Sequence, residues 1–115
     1  MKTIIGINEL DDFITTNHND MKIMMLYFGA SWCGPCKLLK ERLKSPDTYN
    51  IMPRLSVAYI DIDNELNEEL VKRYKVNILP TQIYIKLENN KVTELKRIEG
   101  YDFTKLKLEY DLCNN

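Results

Sequence analysis

The chain carries no surplus of charge. Sixteen Lys and Arg stand against seventeen Asp and Glu, a formal charge of −1 over 115 residues. The signs are interleaved, so there is no basic stripe of the kind nucleic acid demands. Nor is there an acidic tail or a polybasic patch aimed at a membrane surface. Long apolar runs are missing too. The longest, Ile23 to Ala30, is far too short to span a bilayer. Met1 to Leu10, with one Lys and then Gly, Asn and Glu, does not read as a secretory leader. Cysteine is scarce, and three residues are too few for a disulfide scaffold. Histidine is scarcer: His18 stands alone between Asn17 and Asn19, where a solvated loop residue is expected. No repeat, low-complexity tract or linker divides the chain. These absences predict one soluble, intracellular domain over residues 1–115. With 44% apolar residues it has enough material for a core without staples.

What is present is an alternation of strand-like and helix-like segments. Lys2 to Ile5 is a short β-branched run ended by Gly6. Asn8 is expected to open a helix, with Asp11 as its capping-box partner and Leu10, Phe13 and Ile14 on one face. Asn17 to Asp20 is a polar stop. Ile23 to Phe28 is apolar throughout and of strand length, the pattern of a strand buried on both faces. Leu38, Leu39 and Leu43 restore a helical period. Ser45-Pro46-Asp47 reads as a fresh cap, and Pro53 closes that stretch. Leu55 to Ile62 is a second buried strand, and Glu65 to Tyr74 an amphipathic helix whose charges face solvent. Thr81 to Leu87 and Val92 to Ile98 flank Glu88-Asn89-Asn90-Lys91, a hairpin signal. Asp102 caps a last helix through Leu106, Leu108 and Leu112. The order β-α-β-α-β-α-β-β-α predicts an α/β domain with a parallel core and an antiparallel hairpin at one edge.

Two of the three cysteines sit together as Cys33-Gly34-Pro35-Cys36. Where thiols are kept reduced, such a pair is redox-active or metal-binding more often than structural. Disulfide exchange needs a thiolate, which the free N–H groups and dipole of a helix N-terminus favour. Trp32 to Lys37 lies between a buried strand and a leucine-periodic helix, so Cys33 falls at that N-terminus. Two intervening residues bring the second thiol within reach. Gly34, being permissive, and Pro35, preset for a helix start, are expected to tighten the turn. Zinc is the competing use of a close pair, with Cys113 and His18 completing four ligands, but no second close pair accompanies them. Cys113 itself reads as a helix-face or exposed terminal thiol.

At these residues the chain resembles the thioredoxin family. Phe28-Gly29-Ala30-Ser31-Trp32-Cys33-Gly34-Pro35-Cys36-Lys37 is similar to its active-site signature. Leu79-Pro80-Thr81 resembles its cis-proline loop, Val57 to Asp63 its third strand, and Gly100 the glycine after its last strand. The resemblance covers almost the whole chain in the same element order. It implies a sheet ordered 1-3-2-4-5 with four helices on its two faces. It implies Cys33 as the nucleophile that forms a mixed disulfide, and Cys36, more buried, as the resolving thiol. Pro80 would be cis against the cysteines, where it also keeps metal from the pair. The backbone of Leu79 would pair with an extended substrate segment. Trp32, Gly34, Pro35, Ile78 and Gly100 would surround Cys33, with the indole of Trp32, expected to be buried, reaching Asp63. The chain departs from the family pattern at Tyr27, where a buried aspartate is common, and at Tyr59, where a basic residue is usual. Both tyrosines read as core fillers. Glu41 replaces a helix-kinking proline, and Ile78 stands where glycine is common.

The resemblance also implies a cytoplasmic monomer. The activity implied is reduction of protein disulfides, with no cofactor beyond the Cys33–Cys36 disulfide itself. A thioredoxin-reductase-like donor would recharge it, and no metal, nucleic acid or membrane would take part. The Gly-Pro interior favours reduction over the oxidase and isomerase members, which commonly carry histidine there. Two competing readings are a redox-inactive accessory binding module on the same fold, and an oxidase or isomerase.

Overall fold

In the computed structural model, which describes every residue from Met1 to Asn115, the spine is β2 (Ile23–Gly29). All seven of its residues are buried. A strand with no polar face is stable only when helices cover both sides, and here they do. Met24, Leu26 and Phe28 point into one half of the core, against Leu10, Phe13 and Ile14 of α1 (Gly6–Asn19) and Leu70 of α4 (Glu68–Arg73). Ile23, Met25 and Tyr27 point into the other half. There they meet Leu39 of α2 (Gly34–Lys44) and Leu106 and Tyr110 of α5 (Phe103–Cys113).

The sheet runs β1-β3-β2-β4-β5, as the resemblance implies. β1 (Lys2–Thr3) and β2 pair parallel to β3 (Leu55–Asp61). β4 (Thr81–Glu88) lies antiparallel to β2, and β5 (Lys91–Glu99) antiparallel to β4. Asn89 and Asn90 turn the hairpin with φ of 51° and 64°, the left-handed pair that a two-residue turn requires and asparagine tolerates. β5 carries one extra residue, Leu95, between its pairings with Tyr84 and Ile85. Such a bulge on an edge strand also discourages pairing with other chains.

Four expectations need correction. The first helix begins at Gly6, not Asn8. Gly6, at φ +81°, turns the chain into it, and the Glu9 carboxylate, not Asp11, takes the N–H of Ile5 at 3.0 Å. The N–H of Gly6 goes to Asn67 at 2.8 Å, across 61 residues of chain. α1 also runs through the expected polar stop to Asn19, so the exposed His18 is helical and not in a loop. There are five α-helices, not four, because α3 (Pro46–Ile51) is separate: Ser45 Oγ accepts the N–H of Asp47 at 3.3 Å, and Pro46 has no N–H to continue α2. Finally, the segment expected as one helix from Glu65 opens as a 3₁₀ turn (Glu65–Asn67) before α4. Asn67 is wholly buried there. Its amide donates to the carbonyls of Asp61 at 2.9 Å and Ile4 at 3.4 Å, which ties the end of β3 to the start of α1.

Candidate active site

β2 and β3 end side by side, with Gly29 opposite Asp61, and β4 begins beside them at Thr81. The chain leaving β2 reaches Cys33, which is the N-cap of α2. Its sulfur accepts the N–H of Cys36 at 3.2 Å, so it occupies the place where a serine or aspartate oxygen usually caps a helix. N–H groups and the dipole aimed at that sulfur favour its anionic form. Cys33 and Cys36 are joined as a disulfide with their α-carbons 5.2 Å apart. Cys36 is the more buried of the two, 2% exposed against 7%. Gly34 does not tighten the turn as expected. Its φ is not left-handed, and a β-carbon there would meet nothing within 4 Å, so what glycine leaves is open space beside Cys33.

Trp32 flanks the disulfide, and its indole N–H donates to Asp63 at 2.7 Å. The bond is as expected, but the ring is not buried: Trp32 is 66% exposed, a flat apolar surface beside Cys33. Trp32 also walls a groove of about 360 Å³ that runs along Cys33, together with Ile62, Val71, Val76 and Leu79. Ile78 stands exposed next to it. The Leu79–Pro80 bond is cis. The carbonyl of Pro80 accepts the N–H of Gly100 at 2.7 Å, and Gly100 holds φ +91°, a conformation that calls for glycine.

Beneath the disulfide lie the two tyrosines. Tyr27 and Tyr59 are both buried and meet edge to face, with ring centroids 5.0 Å apart. The Tyr27 hydroxyl donates to the carbonyl of Cys36. Burial, reinforced by Tyr59, pushes that hydroxyl well above the ordinary tyrosine range, so it remains a donor and is no base. Burial raises Tyr59 as well, with Asp61 and Asp63 adding to the effect. The Lys40 ammonium sits 4.2 Å from the centre of the Tyr59 ring. Gly29 keeps this region open: a β-carbon there would lie 3.1 Å from carbons of both tyrosine rings and 3.5 Å from the Cys36 β-carbon. The space left is a cleft of about 290 Å³ reaching Cys36, with Asp61, Lys37 and Lys40 on its walls. Sequence reasoning singled out Asp63 and passed over Asp61, Lys40 and Asn67. Asp61 had a signal, since it shares a strand face with Tyr59 two residues before it. No three His, Cys, Asp or Glu side chains gather as a metal site, and Cys113 lies half-buried on α5.

The thioredoxin family model matches residues 6–108. The chain belongs to the thioredoxin family. A thioredoxin of Drosophila yakuba is 39% identical over 87 residues, covering 76% of this chain and 75% of that one. Among solved structures, Fasciola hepatica thioredoxin superposes with a TM-score of 0.79 at 28% identity, covering 96% of this chain and 97% of its own. A germline-specific thioredoxin of Drosophila melanogaster is 34% identical with a TM-score of 0.73, covering 95% of each chain. With its paired cysteines closed as a disulfide, this thioredoxin-family chain is a thiol–disulfide oxidoreductase, a protein-disulfide reductase whose redox group is its own Cys33–Cys36 pair.

Proposed function

We infer that Cys33 attacks and Cys36 resolves, in a general reductase of cytoplasmic protein disulfides that works as a monomer. The observation carrying this order is the asymmetry of the pair. Only the Cys33 sulfur caps α2, and it borders the groove where a substrate segment would lie, while Cys36 is the more buried of the two. The Cys33 thiolate attacks one sulfur of a substrate disulfide. A Cys33–substrate bond forms, the substrate S–S bond breaks, and one substrate thiolate leaves. Cys36 then attacks the Cys33 sulfur, closing the internal disulfide and releasing the second substrate thiol. Two electrons pass to the substrate, and a thioredoxin-reductase-like donor returns them. The apolar walls around Cys33, with Trp32 and Ile78 exposed beside them, suit an extended apolar stretch of substrate backbone, added along Leu79 and Pro80.

Reduction of insulin disulfides, driven by dithiothreitol and then by a thioredoxin reductase, tests the activity. Cys36→Ser is expected to trap substrates as stable mixed disulfides on Cys33, and Cys33→Ser to trap almost none. In the reduced protein iodoacetamide should label Cys33 first. Cys113 should react slowly, because burial and Glu109 push its thiol up. Equal trapping by both variants would overturn the order of attack. Biological activity surviving the double Ser variant would point to the accessory-module reading instead.

A further inference from the structure

The resolving thiol has to lose a proton before it can attack, and Cys36 is 2% exposed. The groups around it narrow the choice of acceptor. The Tyr27 hydroxyl already donates to the Cys36 carbonyl, and both tyrosine hydroxyls are held neutral by burial. Lys37 and Lys40 are cations with no lone pair to offer near neutrality. Asp63 lies beyond the end of β3 and is engaged by the Trp32 indole. The one carboxylate on the wall of the cleft that reaches Cys36 is Asp61. We propose that Asp61 is the proton acceptor for Cys36 in the resolving step, receiving the proton through water in the cleft between α2 and β3.

Three features place it there. Asp61 stands opposite Gly29 in the strand register, and the missing side chain of Gly29 opens the space between them and Cys36. One Asp61 carboxylate oxygen accepts the N–H of Asp63 at 2.9 Å, which orients the side chain, and its backbone carbonyl takes the amide of Asn67 at 2.9 Å, which holds the end of β3. A cleft of about 290 Å³ has room for several waters, and Ser31, Lys37, Lys40 and Asp61 on its walls give them polar partners. The proposal rests on Cys36 being the resolving thiol. The balance is simple: as the Cys36–Cys33 bond forms and the Cys33–substrate bond breaks, the electron pair leaves on the substrate sulfur. The Cys36 proton passes by way of Asp61 to solvent or to that thiolate.

The test uses the reduced full-length protein carrying Cys113→Ser, mixed in stopped flow with an aromatic disulfide whose released thiolate is coloured. The first burst reports attack by Cys33 and the second reports closure by Cys36. Loss of the second burst in Cys36→Ser checks the resolving role independently of Asp61. If the burst survives there, that role fails before Asp61 is considered. Asp61→Asn keeps an acceptor for the Asp63 N–H. It is expected to leave the first burst unchanged and to slow the second by about tenfold or more at neutral pH, below the roughly 10²–10⁴ of a full general-base effect because cleft water still takes some of the protons. It should also make the second burst accelerate with pH, as hydroxide takes over. The other charged or titratable cleft groups contributed by β2, β3 and α2 are Tyr27, Tyr59, Lys37 and Lys40, and burial moves both tyrosines further above neutrality. Asp61→Glu, which retains the carboxylate, is expected to keep the wild-type pH profile, and it carries the test if Asp61→Asn does not fold. The sign separates this role from a mere nearby charge. Removing a negative charge beside Cys36 favours its thiolate, so a bystander Asp61 gives a faster second burst. An unchanged or faster second burst, a slowing well short of tenfold, or an Asp61→Glu profile like that of Asp61→Asn overturns the proposal.

Discussion

Tyr27 shows how one side chain joins packing to chemistry. It fills the core below the disulfide and fixes the first turn of α2 by donating to the Cys36 carbonyl. Tyr27→Phe keeps the ring and removes one donor, so urea melts should show a loss of about 1 kcal/mol. Tyr27→Asp places a carboxyl where none is solvated and deletes the ring as well, an expected loss of roughly 2–4 kcal/mol. A variant Tyr27→Asp as stable as wild type would mean the site is wetter than its burial indicates. Gln82 is the opposite case. It is wholly buried beside Tyr27 in the sheet, its amide donates to the Gly100 carbonyl at 3.1 Å, and its oxygen has no partner. Gln82→Met trades one modest bond for relief of an unpaired buried oxygen, so a gain of about 1 kcal/mol is expected in the same melts.

Among the elements, the bulge in β5 has a consequence at the groove beside Cys33. Residues three apart on a regular strand face opposite sides, yet Glu94 and Arg97 share one, because the extra Leu95 shifts the register between them. Arg97 therefore pairs with Glu94 at 2.9 Å and also reaches the carbonyls of Tyr74 at 2.6 Å and Lys75 at 3.2 Å. Those carbonyls end α4 just before Val76 and Leu79, which wall the groove. Arg97→Ala is expected to raise KM for a protein disulfide severalfold while leaving the rate with a small disulfide unchanged. Lysine cannot reproduce the planar fork, so Arg97→Lys should recover little. Equal effects on both substrates would assign Arg97 to stability alone.

For the whole molecule, the half of the core under α2 and α5 carries hydroxyls. Tyr27 and Tyr84 are fully buried there, and Tyr84 donates to the Leu106 carbonyl at 2.7 Å. Burial raises both, as it raises Tyr59 and Tyr74. A group whose folded pKa lies above its unfolded value holds its proton more tightly when folded. Stability is therefore complete below about pH 10 and declines as pH climbs beyond it. Each of the two fully buried tyrosines contributes a slope of about 1.4 kcal/mol per pH unit in that window. Urea midpoints measured from about pH 9 to about pH 11 should fall steeply at the upper end, and Tyr84→Phe should flatten the fall. A level profile would refute it.

Much of this was legible in the residues themselves. An apolar run without a polar position specifies a central strand, Asn89-Asn90 specifies a tight hairpin, and a cysteine followed by Gly-Pro-Cys at a strand–helix junction specifies a redox pair. These signals survive because they depend on neighbours in the chain, whose spacing sets periodicity, turn chemistry and helix capping. Tertiary structure decided the rest. The true start of α1 depends on Asn67, 61 residues away from Gly6. The indole of Trp32 finds Asp63 while its ring stays in solvent, a matter of which surface the sheet leaves uncovered. Asp61 meets the cleft under Cys36 only because β3 pairs with β2 in the register that sets it opposite Gly29. A shift of one residue would turn that carboxylate to the other face, and no local pattern distinguishes the two registers before the strands have paired.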